Sequence, residues 1–408
     1  MASTLAKSEV SFEDRIATFQ QNTKDEVKDI LHGTGKLKAL ELIFGGLLVV
    51  AGIPIPGLGF AVNVGAAIVL IGLRLAKPSR YTVAKLNIFA AVFLLAMVYI
   101  SVMSFTTGVS TPEQTLRRTI RFMVVVGLLF LIADHRVHFK SLMLGLGIGM
   151  IVNAVAFYAG VAPAYYGSAL TGWLGDKNIS GMYYGFVPII LFGLFHKRWQ
   201  RVVILLIALP LLFETQSRTS MGGFILGILW ILFAQRANLL LKMILGFFFG
   251  WIFDYMQTNF AHLSVFGDRE GTDWFREQID IAAWAKTEAA PWHGLGLGQA
   301  TVVLENGQRQ YFHNSFWTLL VEGGWPWAIA ILGLTFYAVF VWRQTNQVSA
   351  SHRNMTAEAA TVFLLICSWR LGEVILTIPW GIAIGYALSL TAVPKKTAAY
   401  MGVKSKIL

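Results

Sequence analysis

The chain has 408 residues, a mean hydropathy of +0.61 and only 13% charged side chains, against about 25% in an ordinary soluble domain. That composition places it among polytopic membrane proteins, so the formal charge of +11 is read first as topology and not as affinity for nucleic acid. The lone cysteine, Cys367, sits in an apolar run, which excludes a disulfide framework or thiolate metal site and leaves a protonated, unreactive thiol.

Residues 1–38 are polar and mixed in charge, with helical spacing over 12–31 and no apolar core close enough to the terminus for a cleavable signal peptide. A cytoplasmic amphipathic segment is expected there, with a partner-binding helix as the competing reading. Apolar runs then recur at 39–53, 58–73, 86–105, 119–133, 141–161, 181–195, 199–213, 221–234, 239–255, 325–342, 357–369 and 374–392. Lipid offers backbone groups no water, so these runs are expected to be helices. The expectation is an all-α polytopic protein of about twelve transmembrane helices, although several runs fall short of the roughly 20 residues a perpendicular span needs.

Alternate connections carry LRLAKPSRYTVAK, DHRVHFK, HKRWQR, AQRANLLLK and WRQTNQVSASHRN, and the tail carries KKTAAYMGVKSK. The positive-inside rule puts these, with both termini, in the cytoplasm. The expected division is an N-terminal segment over 1–38, nine helices within 39–256, a polar outer segment over 257–324 containing short helices, three helices within 325–392, and a cytoplasmic tail over 393–408. The outer segment alone gathers arginines, carboxylates, histidines and glycines in a greasy chain, and chemistry concentrates in such interruptions.

The sidedness is uneven in a telling way. Fourteen lysines and nine arginines fall on the cytoplasmic side, but two lysines and eight arginines on the outer side. The outer arginines are Arg117, Arg118, Arg121, Arg218, Arg269, Arg276, Arg309 and Arg370. Topology disfavours both cations alike, whereas the planar guanidinium fork binds phosphate bidentately and keeps its charge. An outer face built to hold a diphosphate follows; interfacial anchoring and ion pairs with Glu113, Asp268 or Glu277 form the plainer reading.

Sidedness also reduces the histidines to His262, His293 and His313. His313 opens HNSFWTLLVEGGW, where a polar pair leads into an apolar helical run. Imidazole at such a boundary suits proton transfer near neutral pH, with helix capping or interfacial packing as the alternative. His135 and His138 have the spacing of a metal pair but no third ligand nearby. The glycines of GLGLGQ (Gly294, Gly296, Gly298) follow Pro291 without the strand–helix unit a dinucleotide site requires, so they are read as a tight turn. No metal-binding motif is present, and only scattered outer carboxylates (Asp176, Asp268, Asp273, Asp280) compete with that reading. Lys242, Asp254, Glu358 and Glu373 fall near expected helix ends, which argues against the mid-membrane ionisable groups of a permease.

Four segments resemble the O-antigen ligase and polymerase superfamily of bacterial envelope glycosyltransferases. SRTSMGGFILGIL places Ser217-Arg218 before a helix, and REQIDIAAWAKTEAAPWHGLGLG sets Pro291 fifteen residues after Arg276. His313-Asn314 is followed after nine residues by Gly324, and GWLGDKN brings Asn178 to a helix start. The region from 172 to 333 carries the resemblance. Trp327 departs from the small or tyrosine residue of the motif, and Arg269 competes with Arg276 for the same role.

What the resemblance implies is a GT-C-like glycosyltransferase of the bacterial inner membrane with a periplasmic active site. It would transfer a glycan from undecaprenyl pyrophosphate to a sugar hydroxyl of lipid A–core oligosaccharide in lipopolysaccharide biosynthesis. No cofactor and no metal are expected, and inversion at the anomeric carbon is. His313 would be the general base, with Arg218 and Arg276 stabilising the leaving group. Arg269, Arg117, Arg118, Arg121, Asn178, Asn314 and Arg370 would bind substrate. The short loop 162–180, which lacks arginine, favours a ligase over a polymerase. The absence of an extra C-terminal region favours it over a protein O-oligosaccharyltransferase. A lipid-linked glycan transporter is the rival from another class.

Overall fold

A computed structural model of the chain describes residues 37–79, 81–83, 86–108, 110–195, 197–259, 270–305, 307–341 and 352–394. Nearly all of segment 1–38 and of tail 393–408, and Arg269 with His262 and Asp268, lie outside the described residues. Among the described residues thirteen α-helices follow one another: α1 Ala39–Leu47, α2 Val62–Leu75, α3 Leu86–Thr106, α4 Pro112–Ala133, α5 Phe139–Tyr158, α6 Lys177–Leu194, α7 Arg198–Glu214, α8 Arg218–Phe233, α9 Leu239–Asn259, α10 Glu270–Ala289, α11 Ser315–Phe336, α12 His352–Cys367 and α13 Ile378–Ser389. Each of the twelve apolar runs carries one of them; the thirteenth, α10, belongs to the polar outer segment.

Local signals set several boundaries. Thr111 caps α4 by accepting from Gln114 N, and Pro112 stands where the first turn needs no N–H. Asp176 accepts from Asn178 N and Ile179 N at the start of α6. Every residue of α6 from Ser180 to Leu191 is buried, as expected of a helix that is apolar all round. Around it pack α7, α8 and α12, while α13 lies against α4 and α12. On the periphery, Leu206 of α7 and Phe247 and Trp251 of α9 are exposed.

Among the described residues three helical stretches are long and apolar enough to cross a membrane: Leu86–Thr106, Phe139–Tyr158 and Ser315–Val341, the last ending in a π turn over Tyr337–Val341. Among the described residues the all-helical expectation is met except for two short antiparallel strand pairs. Strand β1 (Tyr81–Thr82) pairs with β4 (Val393–Pro394), and β2 (Thr301–Val303) pairs with β3 (Arg309–Tyr311) in the register Thr301↔Tyr311.

Two placements differ from those expected. The eleventh helix begins at Ser315 and not at 325, because Asn314 caps it by accepting from Phe316 N and Trp317 N. Its interruption is Gly324, at φ 66 and ψ −166, two residues before Pro326. Glu358 lies inside α12, buried, and accepts from Lys242 Nζ at 2.8 Å and Trp230 Nε1 at 3.1 Å. The apolar run alone puts Glu358 at a helix end, because the polar turn that begins α12 breaks the run.

The outer segment has a small core of its own. Ile279 and Ala283 of α10 pack on Ala300, Val302 and Phe312 of the hairpin region and on Val321 of α11. The GLGLG stretch is the hinge that seats this unit. Gly294, Gly296 and Gly298 all take left-handed φ values of 84, 100 and 85. Leu295 N and Gly296 N donate to Val321 O and Glu322 O, so the turn lies against the break in α11. A Cβ on Gly324 would stand 1.9 Å from Trp292 O; only glycine permits both the conformation and the approach.

Candidate functional site

Three helix N-termini meet at one cleft of about 640 Å³. The start of α6 brings Lys177 and Asn178, the start of α8 brings Ser217, Arg218 and Thr219, and the start of α11 brings His313 and Asn314. A helix N-terminus carries about half a positive charge; Asp176 and Asn314 cap the first turns of α6 and α11, whereas Ser217 leaves that of α8 without a side-chain cap. Arg276 comes from α10 and Arg370 from the turn after α12. The cleft sets Lys177, Arg218, Arg276 and Arg370 against the carboxylates of Asp254, Glu277 and Asp280, a formal excess of one positive charge beside the open start of α8, which suits an anion.

Close packing produces this convergence. A Cβ on Gly181 would stand 2.4 Å from Ser217 Cβ, so α6 and α8 touch at a glycine just below the cleft. Immediately before Ser217-Arg218, Gln216 adopts a left-handed φ of 54. That conformation costs a non-glycine residue about 1–3 kcal/mol, and it turns the chain so that α8 starts at the cleft wall. His313 is set from both sides: its carbonyl accepts from Gly372 N at 2.8 Å, and Asn314 after it caps α11. Ser315 Oγ donates to Gly372 O and accepts from Val374 N. The turn carrying Arg370 is thereby stitched to the residues that carry His313.

Electrostatics separate the cleft side chains. Burial lowers the His313 pKa from its ordinary value to about 4, helped by Arg276 and Arg370 and opposed by Asp176. The imidazole is thus neutral at physiological pH. Asp280 is raised by burial and pulled back by Arg370 and Arg276; Arg370 Nη1 donates to its carboxylate at 2.9 Å. Arg370 is consequently a held cation, aimed by Asp280.

Of the residues expected at a site, His313, Arg218, Arg276, Asn178, Asn314 and Arg370 all line this cleft. Arg117, Arg118 and Arg121 do not. Arg117 pairs with Glu113 at 2.6 Å on the surface. Arg118 bridges Glu322 at 2.7 Å and Glu373 at 2.9 Å, and Arg121 also pairs with Glu373. Glu322 in turn accepts from Gly298 N at 2.8 Å. Arg118 and Arg121 tie α4 to the α11 break, the GLGLG turn and the segment next to Arg370. They brace the site from behind.

The sequence reading also missed an aromatic wall. Trp284 and Trp317 line the cleft and pack against each other with centroids 5.4 Å apart and planes tilted by 53°, and Trp369, also in the lining, packs edge-on to Phe316. An indole presents a broad apolar face with one polar edge, a surface that suits the C–H face of a sugar ring. The clustering of tryptophan around the arginines was the signal available for it.

No family model matches the chain, and no curated protein matches it either.

Proposed function

We propose that the chain is an O-antigen ligase: a glycosyltransferase that moves a glycan from undecaprenyl pyrophosphate to a sugar hydroxyl of lipid A–core oligosaccharide. One observation carries the reading. Residues at 178, 218, 276, 313 and 314, singled out by motif, and Arg370, singled out by sidedness, come from separate stretches of the chain yet line one cleft. In this reading the twelve apolar helices form a GT-C-like bundle in the bacterial inner membrane. Basic loops face the cytoplasm, and the cleft opens to the periplasm at the membrane surface.

The chemistry follows from the side chains. The acceptor hydroxyl attacks the anomeric carbon as its proton passes to His313, neutral and half-buried. The bond from that carbon to the diphosphate oxygen breaks, and its electron pair leaves with undecaprenyl pyrophosphate. Such a leaving group needs its charge stabilised more than it needs a proton. Arg218 and Arg276, with the N-terminus of α8, supply that stabilisation, and Asn178 orients the phosphates. Arg370, aimed by Asp280, completes the anion cradle. Base and leaving group on opposite faces of the sugar give inversion. The tryptophan wall takes the pyranose rings, and apolar grooves between helices take the polyprenyl and acyl chains.

Polymerase and protein O-oligosaccharyltransferase activities share this chemistry and differ in acceptor. A transporter reading has the buried Lys242–Glu358 pair in its favour, but that pair joins α9 to α12 and does not line the cleft. Transfer assayed with purified donor and acceptor decides among them. His313→Ala is expected to lower transfer by about 10²–10⁴-fold, the usual contribution of a general base, while donor binding persists. Near-normal transfer by the folded variant contradicts the assignment.

A further inference from the structure

On the far side of α10 from the cleft lies a second groove of about 410 Å³, lined by Ala282, Lys286, Gln299, Thr301 and Arg309 among others. Lys286 Nζ donates to Thr301 O at 2.8 Å, and Arg309 Nε donates to Thr301 Oγ1 at 2.9 Å. Two cations thus converge on one neutral residue. Among the described residues neither has a carboxylate within ion-pair distance. Burial lowers the proton affinity of Lys286, Arg309 lowers it further, and Glu322 opposes both. Glu322 is already engaged by Arg118 and Gly298 N.

Like charges held together without a counter-ion repel each other, and an anion between them removes that cost. The positive-inside rule sharpens the point, because Lys286 is one of only two lysines on the outer side in the topology proposed above. We propose that this groove binds a phosphate monoester on the acceptor oligosaccharide. The identity of the carrier rests on the ligase reading; the anion does not. The donor's diphosphate is matched by the arginines of the cleft, whereas the groove stands on the opposite face of the same helix. Lys286 is two residues beyond Trp284, and a helix with its side chains is about 10–12 Å across. A branched acceptor anchored by phosphate in the groove can therefore reach round α10 and present a different sugar at the cleft.

The test measures binding to the full-length protein in detergent. The probes are phosphorylated lipid A–core, the same acceptor after phosphatase treatment, and phosphatidylglycerol as a competing headgroup. Lys286→Met with Arg309→Gln is expected to weaken binding of the phosphorylated acceptor on the order of tenfold, about 1.4 kcal/mol, and to abolish the difference between the two acceptor forms. Arg309→Gln alone, at an exposed side chain, serves as the variant least able to disturb folding and is expected to show part of the loss. Equal binding by wild type and both variants overturns the proposal. So does equal binding of treated and untreated acceptor, or phosphatidylglycerol displacing the acceptor as effectively as the acceptor displaces itself. Transfer is measured in parallel. Phosphate-dependent binding without any transfer leaves the groove standing and removes the ligase reading; transfer without phosphate dependence does the reverse.

Discussion

His313 poses a chemical problem that its neighbours resolve. A base whose conjugate acid has a pKa near 4 is neutral and available, but weak. Two of its causes are Arg276 and Arg370, the cations proposed above to meet a diphosphate. In the proposed ligase reading, a bound donor's negative charge offsets theirs and His313 is expected to become more basic in the complex. The sign is definite. In the free protein activity falls as pH drops through about 4, and in the donor complex it falls at a higher pH. Since kcat/KM reports the free protein and kcat the complex, the acidic limb of kcat is expected at higher pH than that of kcat/KM. Coincident limbs, or the reverse order, contradict the coupling. Arg218 makes a second residue-scale claim. Arg218→Lys keeps the charge but loses the fork, and a lost charge-assisted hydrogen bond of about 1.5–3 kcal/mol lowers kcat/KM roughly ten- to a hundredfold. Undiminished turnover in steady-state kinetics removes bidentate phosphate recognition.

At the scale of elements, the site depends on how the turn after α12 is pinned. Burial raises the Glu373 carboxyl pKa, but Arg118 and Arg121 outweigh it and hold the group at about 2. A folded-state pKa below its ordinary 4.5 contributes stability that is complete above that value and lost as pH falls towards about 2. Glu373→Gln is therefore expected to lower the melting temperature at neutral pH and to flatten its acid dependence between about 5 and 2. The variant also frees the turn carrying Arg370, so the donor KM is expected to rise more than kcat falls. An unchanged acid profile shows that the Arg118–Glu373–Arg121 cluster does not brace the fold. This cluster was not legible in the sequence. Arg118 and Glu322 stand 204 residues apart, and Arg121 and Glu373 stand 252 apart; no local pattern links them. Sidedness alone made all eight outer arginines look equivalent. Carboxylates brought in by folding separate the bracing arginines from the arginines of the cleft.

Across the whole molecule, the sequence disclosed more than its short runs suggested. Apolar runs in lipid can satisfy their backbones only as helices, and every run from 39 to 392 contains one. His313-Asn314 could be placed because a polar pair before an apolar stretch is a helix start in its own right. Less visible were features made by three-dimensional approach: the wall of Trp284, Trp317 and Trp369, and the groove between Lys286 and Arg309. The break in α11 had a local sign in Gly323-Gly324-Trp325-Pro326, but the seating of Trp292 against Gly324 needs the fold. Resemblance marked the motifs, and folding assembled them around one cavity.

The most direct measurement is glycan transfer in detergent solution, using the purified chain, undecaprenyl-pyrophosphate-linked glycan and lipid A–core, with and without a chelator of divalent cations. Guanidinium groups at the cleft are expected to sustain transfer at the same rate in chelator, and Arg276→Ala to lose it in either condition. Transfer that stops on chelation and returns with added magnesium or manganese contradicts leaving-group stabilisation by arginine.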